Sequence, residues 1–211
     1  PSFLLFGDEA RLKALVDKRK GLAQVLEIVP SEDAVKADDK PSFALRRRRK
    51  SSMWMAVEAA AQGRADTVVS AGNTGALLAI SMFAMRMLEG ADRPALASFM
   101  PTSRGETVML DLGANLECDA DNLAQFAVMG SVFAQALLGL DSPKVGLLNV
   151  GSEELKGHEE LRQAAALLRR PGSPVNFHGF IEGNDIGAGV TDVVVTDGFT
   201  GNVALKAIEG T

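Results

Sequence analysis

The sequence is poor in the residues that mark several classes of protein. Cys118 is the one cysteine among 211 residues, which excludes an intramolecular disulfide and predicts a reducing, cytoplasmic location. Tyrosine is absent and aromatic residues make up 5% of the chain, which argues against the stacking platforms that bind single-stranded nucleic acid. The net charge of −5 and the pI near 5.1 also disfavour a general nucleic-acid binder.

Several enzyme motifs are missing as well. The sequence contains no Walker A loop, no Gly-x-Ser-x-Gly elbow and no Gly-x-Gly-x-x-Gly fingerprint. His158 and His178 lie outside the spacings of a zinc site, so we expect neither a metal nor a cofactor. No run approaches the roughly 18 apolar residues of a membrane span, and no signal peptide is recognisable.

The most informative stretch is Asp66–Met87. Its β-branched run Thr67–Val69 predicts a short buried strand, and the long apolar segment at its end predicts a helix. Small residues between a strand and a helix leave backbone N–H groups free, where the helix dipole favours an anion. The alternative is an ordinary turn with a good helix cap. The candidate anion-binding residues here are Ser70, Gly72, Asn73, Thr74 and Gly75.

Three further strand-like runs end in the same way, in glycine with Asn, Asp, Ser or Thr. In a parallel sheet the ends of all four runs lie at one edge, which is where such folds bind ligands. We therefore predict a site for phosphate or another oxyanion, built from these turns. The three further turns contribute Asp111, Asn115, Asn149, Asp197, Thr200 and Asn202.

Charged residues near these turns have two interpretations each. Lys156 follows the Asn149 turn and is suited to place a point charge on phosphate, but it is also typical of a surface lysine near a helix start. Asp111 and Asp197 end buried runs, where such acids either orient a ligand or hydrogen-bond the backbone of the turn. We assign Lys156, Asn73 and Asn202 as the catalytic candidates.

A run of five cations, Arg46–Lys50, stands out in a chain of negative net charge. Its commonest meaning is a solvated surface. The sharper alternative is a docking surface for an acidic partner, with Arg46, Arg47 and Arg49 as the contact residues.

The alternation of strand-like and helix-like segments predicts one α/β core over residues 1–211, with helices on both faces of a mostly parallel sheet. Ala95–Met100 and Thr107–Leu110 are too close together for a crossover helix, so a hairpin should make the sheet mixed. We also predict a helix that opens at Gly7–Glu9 and runs to about Lys20, and a tight turn at Glu182–Gly187. The longest helix, Ala120–Leu140, has an apolar stripe that fits either the core or a subunit interface.

Taken together, the motifs resemble those of a known family. They occur in order from about Phe3 to Gly210 and strongly resemble the PlsX family, the bacterial phosphate acyltransferases of phospholipid synthesis. The motifs are Ser70–Ala76, Arg93–Ala95, Asp111–Asn115, Gln125–Ser131, Gly146–Asn149, Glu154–Gly157, Asp197–Phe199 and Gly201–Lys206.

The resemblance implies that a long-chain acyl group moves from acyl carrier protein to inorganic phosphate, giving acyl phosphate. It implies a homodimer with an isocitrate/isopropylmalate-dehydrogenase-like fold, related to phosphotransacetylases. It further implies a membrane glycerol-3-phosphate acyltransferase that consumes the product, and with it a peripheral association with the membrane. The family has an earlier strand with a glycine-rich Asp-Ala-Met-Gly-Gly-Asp turn and a C-terminal helical region, which these 211 residues lack. It often has Asn where this chain has His158.

The residues are suited to this reaction. Phosphate is already a nucleophile at neutral pH and a thioester has a good leaving group, so the protein needs no covalent nucleophile or metal. It must position both reactants and stabilise the oxyanion of the tetrahedral intermediate. Two alternatives stay open: a phosphotransacetylase-like enzyme that uses acyl-CoA, and a catalytically silent domain that binds phosphate ligands.

Overall fold

The computed structural model describes residues 2–19 and 21–210. The chain divides into two compact units, Pro1–Glu89 and Gly90–Thr211, and each has an apolar core. The prediction of a single catalytic core over residues 1–211 stays a prediction. The first helix ends at Val16, and Lys20, its predicted end, lies outside the described residues.

The first unit combines a small sheet with a helical cluster. Strand β1 (Phe3–Gly7) pairs in parallel with β2 (Leu26–Pro30). The helices are α1 (Glu9–Val16), α2 (Pro41–Arg47), α3 (Ser52–Ala61) and α4 (Thr74–Met85). The side chains of Ala44, Val57 and Ile80 are fully buried between α2, α3 and α4.

The prediction of a strand at Thr67–Val69 is wrong. The composition of this segment is strand-like, but its backbone groups have no hydrogen-bond partner among the described residues, and a strand exists only as part of a ladder. The segment and β1 both line a groove of about 870 Å³. The edge of β1 away from β2 has no partner strand within residues 2–19 and 21–210.

The second unit is built on a five-stranded mixed sheet with the order β3-β4-β7-β5-β6. The strands β3 and β4 form an antiparallel hairpin, and the other neighbours are parallel. The predicted α/β class with a mostly parallel, mixed sheet is therefore confirmed. The strands are β3 (Ala97–Thr102), β4 (Gly105–Leu110), β5 (Lys144–Leu148), β6 (Asn176–Ile181) and β7 (Val193–Val195).

Helices cover both faces of this sheet because successive strand side chains point in opposite directions. Val193 and Val195 of β7 pack in one cluster with α5 and α6, whereas Val194 packs in another with α7 and α8. The likeness to isocitrate and isopropylmalate dehydrogenases stays a prediction. The helices are α5 (Ala120–Leu138), α6 (Glu159–Leu168), α7 (Gly183–Ala188) and α8 (Gly198–Glu209).

Two boundaries differ from the sequence-based prediction. The tight turn predicted at Glu182–Gly187 is wrong, because this segment begins helix α7. Its polar residues start the helix rather than interrupt it: the Glu182 N–H donates to Oδ2 of Asp185 at 2.9 Å. Helix α5 ends at Leu138 and not at Leu140, since Gly139 adopts a left-handed conformation with φ of 68°.

Within the described ranges, no helix combines the length and the apolar character needed to cross a membrane.

Candidate active site

Three of the four predicted turns meet at one edge of the sheet. Strands β4, β7 and β5 are adjacent and parallel, so the turns that follow them lie side by side, with strands about 4.8 Å apart. These turns begin at Asp111, Asp197 and Asn149. The structure thus brings together six of the predicted residues and Lys156, whereas the fourth turn belongs to the first unit.

Asp111 is the organising residue of the β4 turn. Its carboxylate is fully buried and accepts hydrogen bonds from four backbone N–H groups, those of Leu96, Gly113, Ala114 and Asn115, at 2.7 to 3.2 Å. The side-chain amide of Asn115 donates a fifth, at 2.9 Å. These oxygens are engaged within the turn, so the arrangement supports the structural role for Asp111 and not a direct contact with a ligand.

The β4 and β7 turns are fastened to each other. Nδ2 of Asn202 donates to the Leu112 carbonyl at 3.1 Å, and the Gly198 N–H donates to the Asn115 carbonyl at 2.7 Å. A Cβ atom at Gly201 would collide with the backbone of the β4 turn. The two turns therefore form one rigid wall of the site.

Asp197 caps α8 and is satisfied by Thr200. One carboxylate oxygen accepts the Thr200 N–H at 2.8 Å, and the other accepts its hydroxyl at 2.7 Å. The cap places the N-terminus of a 12-residue helix at the sheet edge, where its dipole attracts an anion.

The β5 turn holds Asn149 and Lys156 together. Asn149 is almost buried, and its Nδ2 donates to the Lys156 carbonyl at 3.1 Å. Its Oδ1 accepts the Val150 N–H at 2.8 Å. Gly157 has a φ of 86°, and a Cβ there would collide with the Asn149 amide. Asn149 thereby sets the path of the backbone that presents Lys156.

The Lys156 ammonium is paired with a neighbouring acid in this structure. Its Nζ lies 2.7 Å from Oε1 of Glu153, and a Cβ atom on buried Gly151 would collide with both side chains. The hydrogen bond with Glu153 raises the pKa of Lys156, and the charge of Glu182 adds to this. The same hydrogen bond lowers the pKa of Glu153. Lys156 is therefore charged at neutral pH, and a carboxylate occupies the place that an anionic ligand would take.

Sequence reasoning missed Glu153 as a part of the site. The signal was the spacing of three residues to Lys156, which brings an acid and a base together within one turn. Glu182 was missed because it follows β6, a strand later in the chain. The sequence does not show that β6 is the neighbour of β5 in the sheet.

The first unit holds the remaining predicted residues, and their side chains are mostly engaged. Oδ1 of Asn73 caps α4 through the Ala76 N–H at 3.0 Å, while its Nδ2 reaches the carbonyls of Ala37 and Asp39 at 3.0 and 2.9 Å. The Ser70 hydroxyl accepts the Gly72 N–H at 3.2 Å. The amide of Asn73 thus ties the turn to a neighbouring loop, and its catalytic role stays a prediction.

The backbone N–H groups of Thr74 and Gly75 have no partner within the part of the chain that the structure describes. They are the first two residues of α4, a 12-residue helix. These are the free donors that the sequence predicts for an anion at this turn.

Cys118 is the one cysteine of the chain. Burial is the main cause that raises the pKa of Cys118 to about 11, so its thiol stays protonated at neutral pH and is a poor nucleophile. Among the described residues, no group of three His, Cys, Asp or Glu side chains is placed to hold a metal ion.

The chain is similar to known proteins over nearly its whole length. It is 62% identical over 209 residues to the phosphate acyltransferase of Rhodospirillum centenum, covering 99% of this chain and 59% of that protein. It is 56% identical over 209 residues to the phosphate acyltransferase of Paramagnetospirillum magneticum, covering 99% and 60%. The chain thus spans about three fifths of the length of these relatives.

Solved structures share the fold at low sequence identity. The EutD phosphotransacetylase from Staphylococcus aureus matches with a TM-score of 0.68 at 19% identity, covering 99% of this chain and 74% of that one. A branched-chain phosphotransacylase from Enterococcus faecalis matches with a TM-score of 0.60 at 15% identity, covering 99% and 84%. These matches show the fold alone.

The model of one family, described as fatty acid synthesis protein, matches residues 1–211. The resemblance found in the sequence motifs is confirmed: the chain belongs to this family, the PlsX family.

Proposed function

We propose that the protein to which this chain belongs transfers an acyl group from acyl carrier protein to inorganic phosphate. The observation that carries the proposal is the meeting of three glycine-bearing turns and Lys156 at one sheet edge, in a chain so similar to phosphate acyltransferases. Because the chain covers about three fifths of those relatives, the complete activity is a property of the longer protein.

The reaction balances with its two substrates alone. A phosphate oxygen forms a bond to the thioester carbon, and the carbon–sulfur bond breaks after the tetrahedral intermediate. The departing thiolate receives the proton of hydrogen phosphate, so acyl phosphate and a free thiol result. Lys156 in the second unit holds the phosphate as a point charge. The first unit, taken by itself, has anion donors of its own in the free N–H groups of Thr74 and Gly75. Asn202 and Asn149 hold the turns that shape the site.

Two other functions are weighed against this one. The fold shared with phosphotransacetylases favours acyl-CoA as an alternative donor. The exposed position of Lys156 and the many side chains engaged in structure favour a silent domain that only binds phosphate ligands.

One assay separates the three functions. Family-length protein is incubated with inorganic phosphate and either acyl-acyl carrier protein or acyl-CoA, and acyl phosphate is measured. Product from the carrier protein is the expected result. Product from CoA alone, or phosphate binding without product, would replace the proposal by the second or third function.

We also propose the assembly and partners that the family resemblance implies. A homodimer is supported by exposed apolar side chains on α5, where Val128, Val132 and Leu137 are 37%, 57% and 59% exposed. The product would pass to a membrane glycerol-3-phosphate acyltransferase, which places the enzyme in the cytoplasm with access to the membrane surface. The carrier protein would dock through Arg46, Arg47 and Arg49.

The pairing of Lys156 with Glu153 gives a test of the phosphate site. Glu153→Gln removes the carboxylate that competes with phosphate for the ammonium, so the KM for phosphate should fall about two- to fivefold, the range expected for an exposed ion pair. Steady-state kinetics with varied phosphate measure this.

The matched control is Glu154→Gln, which removes the same charge from the next residue. Glu154 pairs with Arg169 at 2.6 Å and not with Lys156. The KM for phosphate of the Glu154→Gln variant should therefore stay unchanged. An equal fall in both variants would mean that net charge, not the contact with Lys156, controls phosphate binding.

A further inference from the structure

The cationic run Arg46–Lys50 contains two neighbouring arginines in opposite situations. Arg48 is neutralised: its guanidinium lies 2.7 Å from Oδ1 of Asp33 and 3.2 Å from Oδ2 of Asp39. Arg49 has no carboxylate or other hydrogen-bond partner among the described residues. The Arg48 guanidinium is thus engaged in ion pairs within the protein, whereas the Arg49 guanidinium is available to a partner.

Aromatic rings hold the available guanidinium in place. The Arg49 Cζ atom lies 5.2 Å from the centroid of the Trp54 ring and 5.4 Å from that of Phe83, and the two centroids are 5.8 Å apart. The charge therefore sits over both rings at once. Such contacts leave the N–H groups at the guanidinium edge free and reduce the entropy lost when they bind a carboxylate.

An apolar surface adjoins this arginine. Phe83 is 54% exposed, and Met82 and Met85 on the same helix, α4, are 37% and 49% exposed. Arg46 and Arg47 in the last turn of α2 are also exposed and make no ion pair with a described residue. An anchored arginine beside aromatic and methionine side chains is the composition of the energetic centre of a protein interface.

We propose that Arg49 anchors the acyl carrier protein, with Arg46 and Arg47 as steering charges and Phe83 as the apolar contact. This inference rests on the proposed function for the choice of donor. The occupant that fits is an acidic protein helix that offers a carboxylate to Arg49 and an apolar side chain to Phe83. Arg48 takes no part, because Asp33 and Asp39 already occupy it.

The surroundings favour a protein partner over a membrane surface. A helix that lies on a membrane exposes a continuous apolar face below its cations. Helix α2 has seven residues, and its Ala44 and Leu45 side chains contribute to the core of the first unit instead. Its one large exposed apolar side chain, Phe43, lies under the Arg48 guanidinium, with 5.3 Å between Cζ and the ring centroid. The Arg49 guanidinium is held in place over two rings. This geometry is suited to a bidentate contact with one carboxylate rather than to the spread charge of membrane headgroups.

Binding is measured by titrating family-length protein with carrier protein that bears no acyl group, using the fluorescence of Trp54. This residue is the one tryptophan of the chain, and subtraction of a Trp54→Phe variant assigns the signal to it. Arg49→Gln should weaken carrier binding about tenfold, which is a loss typical of an interface anchor. Phe83→Leu, which keeps the charge but removes one ring, should weaken it by a smaller factor.

The matched control is Arg64→Gln, an exposed arginine just beyond the other end of α3. It removes the same charge at a distance of roughly 15 Å along the helix, and should leave binding nearly unchanged. For variants that bind too weakly for fluorescence, the KM for acyl carrier protein is the second readout, and the KM for phosphate should not move.

The outcomes are distinct. Equal binding by wild type and Arg49→Gln would overturn the anchor, as would a Trp54 signal with anionic phosphatidylglycerol vesicles and none with the carrier. A carrier that binds through Arg49 without any acyl phosphate being formed would overturn the proposed function and leave the anchor standing. If Arg49→Gln forms acyl phosphate at the wild-type rate at low carrier concentration, the anchor is overturned and the proposed function stands.

Discussion

Replacing Asp111 by alanine is expected to lower the free energy of unfolding by about 3–5 kcal/mol. The change removes the acceptor of four backbone N–H groups and one side-chain amide in a fully buried position. Each buried donor left without a partner costs about 1–3 kcal/mol, and water entering the space recovers a part of this. Urea unfolding of the variant and the wild type gives the difference.

Asp119→Ala is the matched control for this prediction. Asp119 is also an acid in the segment between β4 and α5, and it caps α5 through the Asn122 N–H at 2.8 Å. Loss of a helix cap costs about 1 kcal/mol. If Asp111→Ala costs no more than Asp119→Ala, then Asp111 is not the organising residue of the turn.

Replacing Lys156 by alanine is expected to lower turnover about a hundredfold, the usual effect of removing one oxyanion or phosphate contact. Its side chain is 52% exposed and forms a surface ion pair with Glu153, so the variant should fold with an unchanged unfolding curve. The measurement is acyl phosphate formation by family-length protein at saturating donor and varied phosphate.

Lys144→Ala supplies the comparison for Lys156. Lys144 is the first residue of β5, and Lys156 follows the last residue of this strand. The two lysines therefore lie near opposite ends of the same strand. We expect wild-type turnover for Lys144→Ala. Wild-type turnover in a folded Lys156→Ala variant would remove this lysine from the site.

Local patterns in the sequence were sufficient to predict most of the second unit. Apolar runs that end in glycine with polar residues mark β4, β5 and β7, and their capping residues lie within three positions of the groups they bind. The bonds that complete the site are different in kind. Asp111 accepts from Leu96, which lies 15 residues earlier, and Asn202 donates to Leu112, 90 residues earlier. No local pattern contains these pairs.

Two other differences between sequence and structure have physical causes of the same kind. Thr67–Val69 has the composition of a strand, yet strand formation depends on a partner, and none pairs with it among residues 2–19 and 21–210. The separate roles of Arg48 and Arg49 depend on which of them faces Asp33 and which faces Trp54. A run of like charges in a sequence does not distinguish its members.

The edge of β1 that is unpaired among residues 2–19 and 21–210 can accept a further strand. The residues Phe3–Phe6 along this edge include no charge and no proline, which are the residues that natural sheets use to prevent edge-to-edge pairing. The backbone groups of β1 are therefore open to a strand from outside the described residues. A lysine in place of Leu4 would make that pairing less favourable.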